Sequence, residues 1–541
     1  MGVLVVTAVA GILRLHMPGP TILTVDELNW QSRSANWEWA WEQREFGEMV
    51  AAESGRDATR PGVTTMWTGY LAKELMLADA PGFSSVDRLG AAHRLMAIWC
   101  TLLLIPFMVI GSRLVTRRGA LVAGGILAVE PLLVGHSALL HTDALVTMTG
   151  AVATVALLAT FDEVRRNLGR EPRSWWTRAD IRLGATAGTA AALAVLTKVS
   201  ALVPLGAAAV AALALHCWLV LRSHGSFRQL LRTALPAVVV PTAVASVVVV
   251  LLWPALWVTP VSAVSDALSS FGLADQATPR FFLGEVITGR DWRYYGVELV
   301  FRSSAWLLLA MPLAAGWVIW RRQSGRPPVM SRRNGAALVA AGVVYTAGIV
   351  TASKQYARYL LPLLPLAALA LGAVAEDLVR SLKHWYHRQR RRMPRLVPSA
   401  LGLGALALCA TYTFRLAPYQ ISHVNQLVGG QRVAERTIPL GWGEGREQVT
   451  AAYQRSGTCE PWAAVGVFMT ACLRERQDFA FLEEGEDPPR FVLRYVFQAQ
   501  LGLEPEGLGR YLESNATRVS AVAIDGVVYA EMWEIETEQT E

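Results

Sequence analysis

Thr24-Val25-Asp26-Glu27-Leu28 follows a short apolar segment and opens a long, tryptophan-rich stretch. Two adjacent carboxylates stand where the chain leaves an apolar run. Asp26, Glu27 and Asn29 suit the first turn of a helix, where negative charge meets the positive end of the helix dipole. A carboxylate held at the mouth of a hydrophobic bundle can equally act as a general base or bind a metal. The local residues leave both readings open.

The surrounding chain decides what kind of protein carries this stretch. Of 541 residues, 53% are hydrophobic and only 17% charged, with a mean hydropathy of +0.33. Many apolar runs approach the ~20 residues that cross a bilayer. The expectation is a polytopic α-helical membrane protein with eleven spans, at residues 2–22, 91–110, 119–135, 142–160, 183–198, 200–221, 234–256, 303–320, 336–352, 358–376 and 398–416. Arg14 interrupts the first run and no small-residue cleavage site precedes Asp26, so that run reads as a span rather than a cleaved signal.

Orientation follows from alternate connections. Residues 111–119, 161–182, 222–232, 321–335 and 377–397 hold three, six, three, five and seven Lys or Arg, 24 of the chain's 50. By the positive-inside rule these five are cytoplasmic. Asp26, the long connections 24–90 and 257–302, and the tail are then extracytoplasmic. The net charge of +7 is a topology signal and a response to anionic headgroups, not a sign of nucleic acid. Four lysines against 46 arginines look like a GC-rich bacterial coding bias, which makes Asn515-Ala516-Thr517 a chance sequon.

Along the outer face, Trp30, Trp37, Trp39 and Trp41 alternate with charged residues. They predict amphipathic helices, with indoles either anchored in the headgroup layer or packed on the bundle roof. Arg60-Pro61 breaks this stretch; Arg60 either contacts headgroups or pairs with an anion. Arg94 opens the second span, where it either snorkels or joins the site. His136, His141 and Asp143 sit in an otherwise apolar hairpin, and Asp143 either caps the next helix or serves function. Lys198 and Lys354 lie at outer span ends, where lysine is disfavoured, and Lys354 through Pro362 gathers Lys354, Arg358, Tyr356 and Tyr359 at one mouth suited to an anion.

From Pro418 the hydropathy changes to soluble patterning. A helix is predicted near 445–455, strands near 463–470 and 490–496, and a hairpin near 518–536 turning at Asp525-Gly526. The domains expected are 1–417, transmembrane, and 418–541, a small α/β unit outside. Cys459 and Cys472 lie in that tail, where an oxidising compartment would permit a disulfide. The other three cysteines fall in spans.

In this order, Asp26-Glu27, Arg60-Pro61, Arg94, His141-Thr142-Asp143-Ala144-Leu145, Lys354 to Pro362 and Gly441-Trp442-Gly443-Glu444-Gly445 resemble the GT-C superfamily of membrane glycosyltransferases, in particular its protein O-mannosyltransferase and lipid A aminoarabinose transferase branch. The resemblance implies a GT-C fold and an inverting transfer from a polyprenyl-phosphate sugar to an acceptor hydroxyl on a protein, polysaccharide or glycolipid. It implies Asp26 as catalytic base with Glu27 beside it. It assigns Arg60, Arg94, Lys354 and Arg358 to the donor phosphate, to which Lys198 is added by its place at an outer span end, and gives Asp143 and His141 a shaping role or a divalent metal, Mg or Mn. The family position before Pro61 is commonly His or Lys, whereas Arg60 stands here. The site is expected on the outer face of a bacterial plasma membrane, and no nucleotide is expected, because none of the phosphate-cradling glycine motifs appears. The alternative is a transporter or flippase for a lipid-linked or anionic solute. That function calls for charges at the bilayer midplane, whereas here they gather at one face.

Overall fold

In lipid a backbone can satisfy its own polar groups only as a helix or a closed barrel, and the Ala-, Val- and Leu-rich runs of this chain take the first course. A computed structural model describes residues 1–16, 24–49, 62–80, 82, 84–166, 177–222, 226–269, 277–325, 329–389, 397–449, 462–464, 491–504 and 507–535. Among these, eight helices are long and apolar enough to span: Ser85–Gly111, Thr142–Val164, Arg178–Thr197, Val199–Arg222, Phe227–Leu252, Arg332–Thr351, Ala357–Arg388 and Val397–Arg415. Two further pairs are bent, Arg117–Val129 with Pro131–Ser137 by 66° and Tyr294–Arg302 with Ala305–Gln323 by 115°, and Gly2–Leu15 is a shorter apolar helix. The protein is a multi-pass membrane protein, and these elements follow the eleven expected runs in order.

The bends have local causes. Pro131 has no N–H to offer the carbonyl of Leu127 four residues back, and Arg14 fills the gap: its Nη2 donates to Leu127 O at 2.9 Å and its Nη1 to Ala128 O at 3.2 Å. The arginine that interrupts the first apolar run is thereby buried against backbone carbonyls. Glu130 sits at the same break, fully buried, accepting from Ser304 N at 3.1 Å and Ser304 Oγ at 2.6 Å. It ties the first bend to the second.

The connections sort to two ends. Arg113 meets Glu163 at 3.4 Å, Asn334 donates to Asp162 at 2.8 Å and Arg321 meets Asp377 at 3.1 Å, so the arginine-rich connections gather at one end. At the other, Gly62 N donates to Leu196 O at 3.0 Å and Thr64 Oγ1 lies 2.6 Å from Thr197 Oγ1. The Val25–Gln43 and Val63–Met76 helices form a roof there. Trp37 is fully buried and Trp30 nearly so, with Trp39, Trp41 and Trp67 packed on the same cluster. The indoles therefore face protein, and of the two readings of this stretch the roof packing holds.

Past the last span, Trp462–Ala464 pairs in parallel with Phe491–Tyr495. That strand pairs antiparallel with Val527–Ile535, which pairs antiparallel with Ala516–Ile524. Asp525 and Gly526 both take positive φ, 46° and 84°, the two-residue hairpin turn read from the sequence. A small hairpin, Arg280–Phe282 with Glu285–Ile287, brings the 277–302 connection under this sheet, and Leu283 N donates to Thr437 O at 2.7 Å. Cys459, Cys472 and Arg60 lie outside the described residues.

The Arg117–Val129 and Ala357–Arg388 helices meet backbone to backbone, since a Cβ on Gly372 would fall 2.2 Å from Gly119 O. Backbone cannot give way as a side-chain tip can. Gly372→Val is expected to destabilise the bundle by about 1–3 kcal/mol, read as a lowered thermal midpoint in detergent; Gly404→Val, where open space surrounds the site, serves as control.

Candidate active site

Thr24 begins the Val25–Gln43 helix with a reciprocal cap, its N–H donating to Glu27 Oε2 at 2.9 Å. The other oxygen of Glu27 accepts from Leu140 N at 2.7 Å and contacts His93 Nε2 at 2.5 Å. Glu27 is wholly buried. Burial opposes its ionisation, but His93 and the two backbone donors outweigh that and hold its carboxyl below the ordinary glutamate value. Glu27 is a clamp that fixes the helix start, and it leaves Asp26 beside it turned toward a cavity.

Asp26 keeps 38% of its side chain exposed. Arg358 Nη2 donates to its Oδ2 at 3.0 Å and His141 Nε2 stands 3.5 Å from the same oxygen. Burial would push this carboxyl up, but Arg358 and then His141 prevail and hold it well below the usual carboxylate range. Asp143 lies behind. Its Oδ1 accepts from Lys198 Nζ at 2.7 Å, and its Oδ2 is 3.1 Å from both Arg358 Nε and His141 Nδ1. Burial disfavours the charged form of His141, yet Asp143 and Asp26 keep its pKa above the ordinary histidine value. Burial likewise acts against Lys198 and Asp143 overcomes it, raising the lysine. Carboxylates and cations alternate, Lys198, Asp143, Arg358 with His141, then Asp26.

Aromatic rings hold the cations in place. The Arg358 guanidinium lies 4.1 Å from the Tyr356 ring and 4.4 Å from Trp442, and Lys198 lies 4.3 Å from Tyr359. Trp442 also stands edge-on to His141 at 5.1 Å, and its carbonyl accepts from Val25 N at 3.3 Å. Glu444 fastens this loop, accepting from Trp442 N, Ser422 Oγ and Tyr495 OH. A segment beyond the last span thus closes the site. A cavity of about 440 Å³ opens in front, lined by Asp26, Arg358 and Trp442 among others, a volume within the range of ligand pockets.

Of the residues singled out in the sequence, Asp26, His141, Asp143, Lys198 and Arg358 converge. Lys354 is half-buried, with its ammonium 5.7 Å from the Tyr356 ring. Arg94 is not brought in. One residue is a 100° turn on a helix, so with His93 directed at Glu27, Arg94 is exposed on the Ser85–Gly111 helix. His93 gave no sequence signal beyond its place next to Arg94, and Trp442 was legible as part of a glycine-rich motif but not as a wall of the site.

The Asp143–His141 pair does not fit a divalent metal in this arrangement, because Lys198 and Arg358 already hold the oxygens a metal would need. Among the described residues Glu38, Glu42 and Glu74 are the trio whose oxygens could converge on an ion. Lys73 contacts all three, and Arg88 also pairs with Glu38.

No family profile and no curated protein sequence matches the chain. Solved structures do. ArnT from Cupriavidus metallidurans in the apo state is 13% identical, covering 98% of this chain and 97% of that one, with a TM-score of 0.51. The same protein bound to undecaprenyl phosphate matches at 16% identity over 98% and 96%, with a TM-score of 0.44. The apo Archaeoglobus fulgidus oligosaccharyltransferase is 14% identical over 84% of this chain, with a TM-score of 0.48; the chain spans 58% of that protein's length. The likeness is one of fold, shared with apo ArnT over nearly the whole of both chains.

The two adjacent carboxylates have different surroundings and should fail differently. Glu27→Ala strands three donors, Thr24 N, Leu140 N and His93, at about 1–3 kcal/mol for each buried group left unpaired. It is expected to lower the thermal midpoint sharply, whereas Asp26→Asn leaves the midpoint within a few degrees.

Proposed function

We propose that the protein is an inverting glycosyltransferase that moves a sugar from a polyprenyl-phosphate donor to an acceptor hydroxyl at the outer face of the bacterial plasma membrane. The transmembrane region, residues 1–417, is the catalytic domain, and residues 418–541 form an extracytoplasmic domain over it. The observation that carries this reading is Asp26. It is a part-exposed carboxylate on the wall of a cavity, paired with an arginine that a phosphate can compete for.

The lipid tail of the donor stays in the bilayer while its phosphate meets the cationic mouth. Arg358 leads, with Lys198 behind and Lys354 beside the Tyr356 ring; a carrier of the class of undecaprenyl phosphate, which ArnT binds, suits this reading. In the resting arrangement Arg358 neutralises Asp26 and makes it a weak base. A phosphate that draws the guanidinium away removes that stabilisation, and the Asp26 pKa rises toward one suited to taking a proton. Asp26 then accepts the proton of the acceptor hydroxyl as its oxygen bonds to the anomeric carbon. The bond from that carbon to the phosphate oxygen breaks, and the electron pair leaves with the lipid phosphate, stabilised by the same cations. One displacement inverts the anomeric centre. Tyr359 holds Lys198 in place, so that this cation needs little reorganisation as charge develops.

Purified protein in lipid, given radiolabelled polyprenyl-phosphate sugars and a membrane extract, is expected to transfer label, and Asp26→Asn to lower the rate at least 10²-fold, the low end of general-base contributions, while still binding the lipid phosphate. Full activity in Asp26→Asn would remove it from the base role. Lys354→Ala with Arg358→Ala is expected to weaken undecaprenyl phosphate binding tenfold or more. The pH profile carries a sign. Because Arg358 lowers the Asp26 pKa in the free protein, Arg358→Ala should move the acid limb of kcat/KM to higher pH; an unmoved limb would show that the limb reports another group.

A further inference from the structure

The same cavity has a second basic pole, formed outside the bundle. Arg280 enters from the small hairpin of the 277–302 connection and Arg446 from the segment that follows Trp442, and both line the cavity. Their relative exposures are 3% and 7%. Arg280 Nη2 donates to Gln355 Oε1 at 2.6 Å, and its guanidinium stands 5.0 Å from the Tyr294 ring. Its Nε and Nη1 have no hydrogen-bond partner. Arg446 stacks on Tyr495 at 4.0 Å, and its Nε and Nη2 have none.

Unpaired donors on a buried charge are costly, and proteins seldom leave them so. Both guanidinium groups have carboxylates nearby, Glu298 for Arg280 and Glu444 with Glu447 for Arg446, and Glu447 Oε1 accepts from Tyr419 OH. Glu444 spends its oxygens on Trp442 N, Ser422 and Tyr495. Glu298 meets Arg302 at 3.4 Å through Oε2 and is hydrogen-bonded by the Tyr294 hydroxyl. Two arginines that line the cavity therefore keep guanidinium N–H groups without partners. These suit an oxyanion, to which arginine presents a planar fork of donors.

We infer that Arg280 and Arg446 form an acceptor subsite for an anionic sugar, a glycan that presents a phosphate or carboxylate to the two guanidinium groups. The inference rests on the transferase reading in treating Arg358 and its neighbours as the donor pole, which leaves this second pole to the acceptor. It narrows the acceptor from any hydroxyl to one carried on a charged sugar. It also gives the C-terminal segment a part in choosing the substrate, since Arg446 and the loop that closes the site are separated by only a few residues.

The test is calorimetric binding to the full chain in nanodiscs saturated with undecaprenyl phosphate, using glucose 6-phosphate, glucuronate and neutral glucose as probes. At least one anionic probe is expected to bind tenfold or more tighter than glucose; a response to the phosphate alone or to the carboxylate alone identifies which oxyanion the subsite takes. Arg280→Gln and Arg446→Gln should each weaken that probe about tenfold and leave undecaprenyl phosphate affinity unchanged. Arg446→Lys, which keeps the charge and the stacking stem, should restore part of the loss. Equal binding of all three probes to the wild-type chain overturns the subsite without reliance on any variant, and so do variants that bind the anionic probe as well as wild type. If undecaprenyl phosphate itself does not bind, the donor reading falls. The probes are then titrated into the unloaded chain, where dependence on Arg280 and Arg446 still decides the anion subsite.

Discussion

Arg358 reaches Asp26 with one nitrogen and Asp143 with another while lying between the rings of Tyr356 and Trp442, and this four-way contact is what this end of the bundle is assembled around. Asp26 comes from the first roof helix, Asp143 from the start of the Thr142–Val164 span, Tyr356 from the connection before Ala357–Arg388, and Trp442 from beyond the last span. A buried guanidinium is stable only if its donors and its charge are answered, so these segments are each held to positions that answer it. Lys198 and His141 balance the second carboxylate, and the cluster as a whole is nearly neutral. That balance lets so many ionised groups sit at the edge of an apolar bundle.

Adjacent residues play opposite parts here because a helix start separates them. Glu27 turns inward to Leu140, His93 and its own cap, with no oxygen left over for chemistry. Asp26, one position earlier, faces the cavity and keeps a path to water. The same logic runs through Arg14 and Glu130, which are buried in the bundle yet answer polar groups at the two bends: Arg14 the carbonyls of Leu127 and Ala128, Glu130 the N–H and hydroxyl of Ser304. In a membrane interior, a charged side chain is a functional candidate by default; these two are structural, and the partners they satisfy show why.

The soluble sheet matters to the site through a short loop. Gly441 to Gly445 lays Trp442 on Arg358 and is fastened by Glu444 to Tyr495 of the sheet. Below it the 277–302 hairpin supplies Arg280. The cavity is therefore bounded by three separately folded parts, the bundle mouth, the outer hairpin and the C-terminal region. A ligand in it would touch all of them.

Hydropathy and arginine placement determined the helical runs, their order and their sorting to two ends, because a span must be apolar for about 20 residues and basic residues resist translocation. The same reading singled out Asp26, His141, Asp143, Lys198 and Arg358, since ionisable residues at span ends stand out against an apolar background. What each one does was not legible. Whether Glu27 or Asp26 faces the cavity, and whether His93 or Arg94 faces Glu27, turns on helix phase, which neighbours fix and residue type does not. Whether Trp37 meets lipid or protein depends on the Val63–Met76 helix and the residues near Trp253 that cover it. The pairing of Arg358 with both carboxylates and the buried, unpaired donors of Arg280 and Arg446 join residues hundreds of positions apart. Composition and local pattern act over a few turns of chain, so they set the elements and mark the charged residues; only the packing of distant segments decides which charges are answered and which are left open to a ligand.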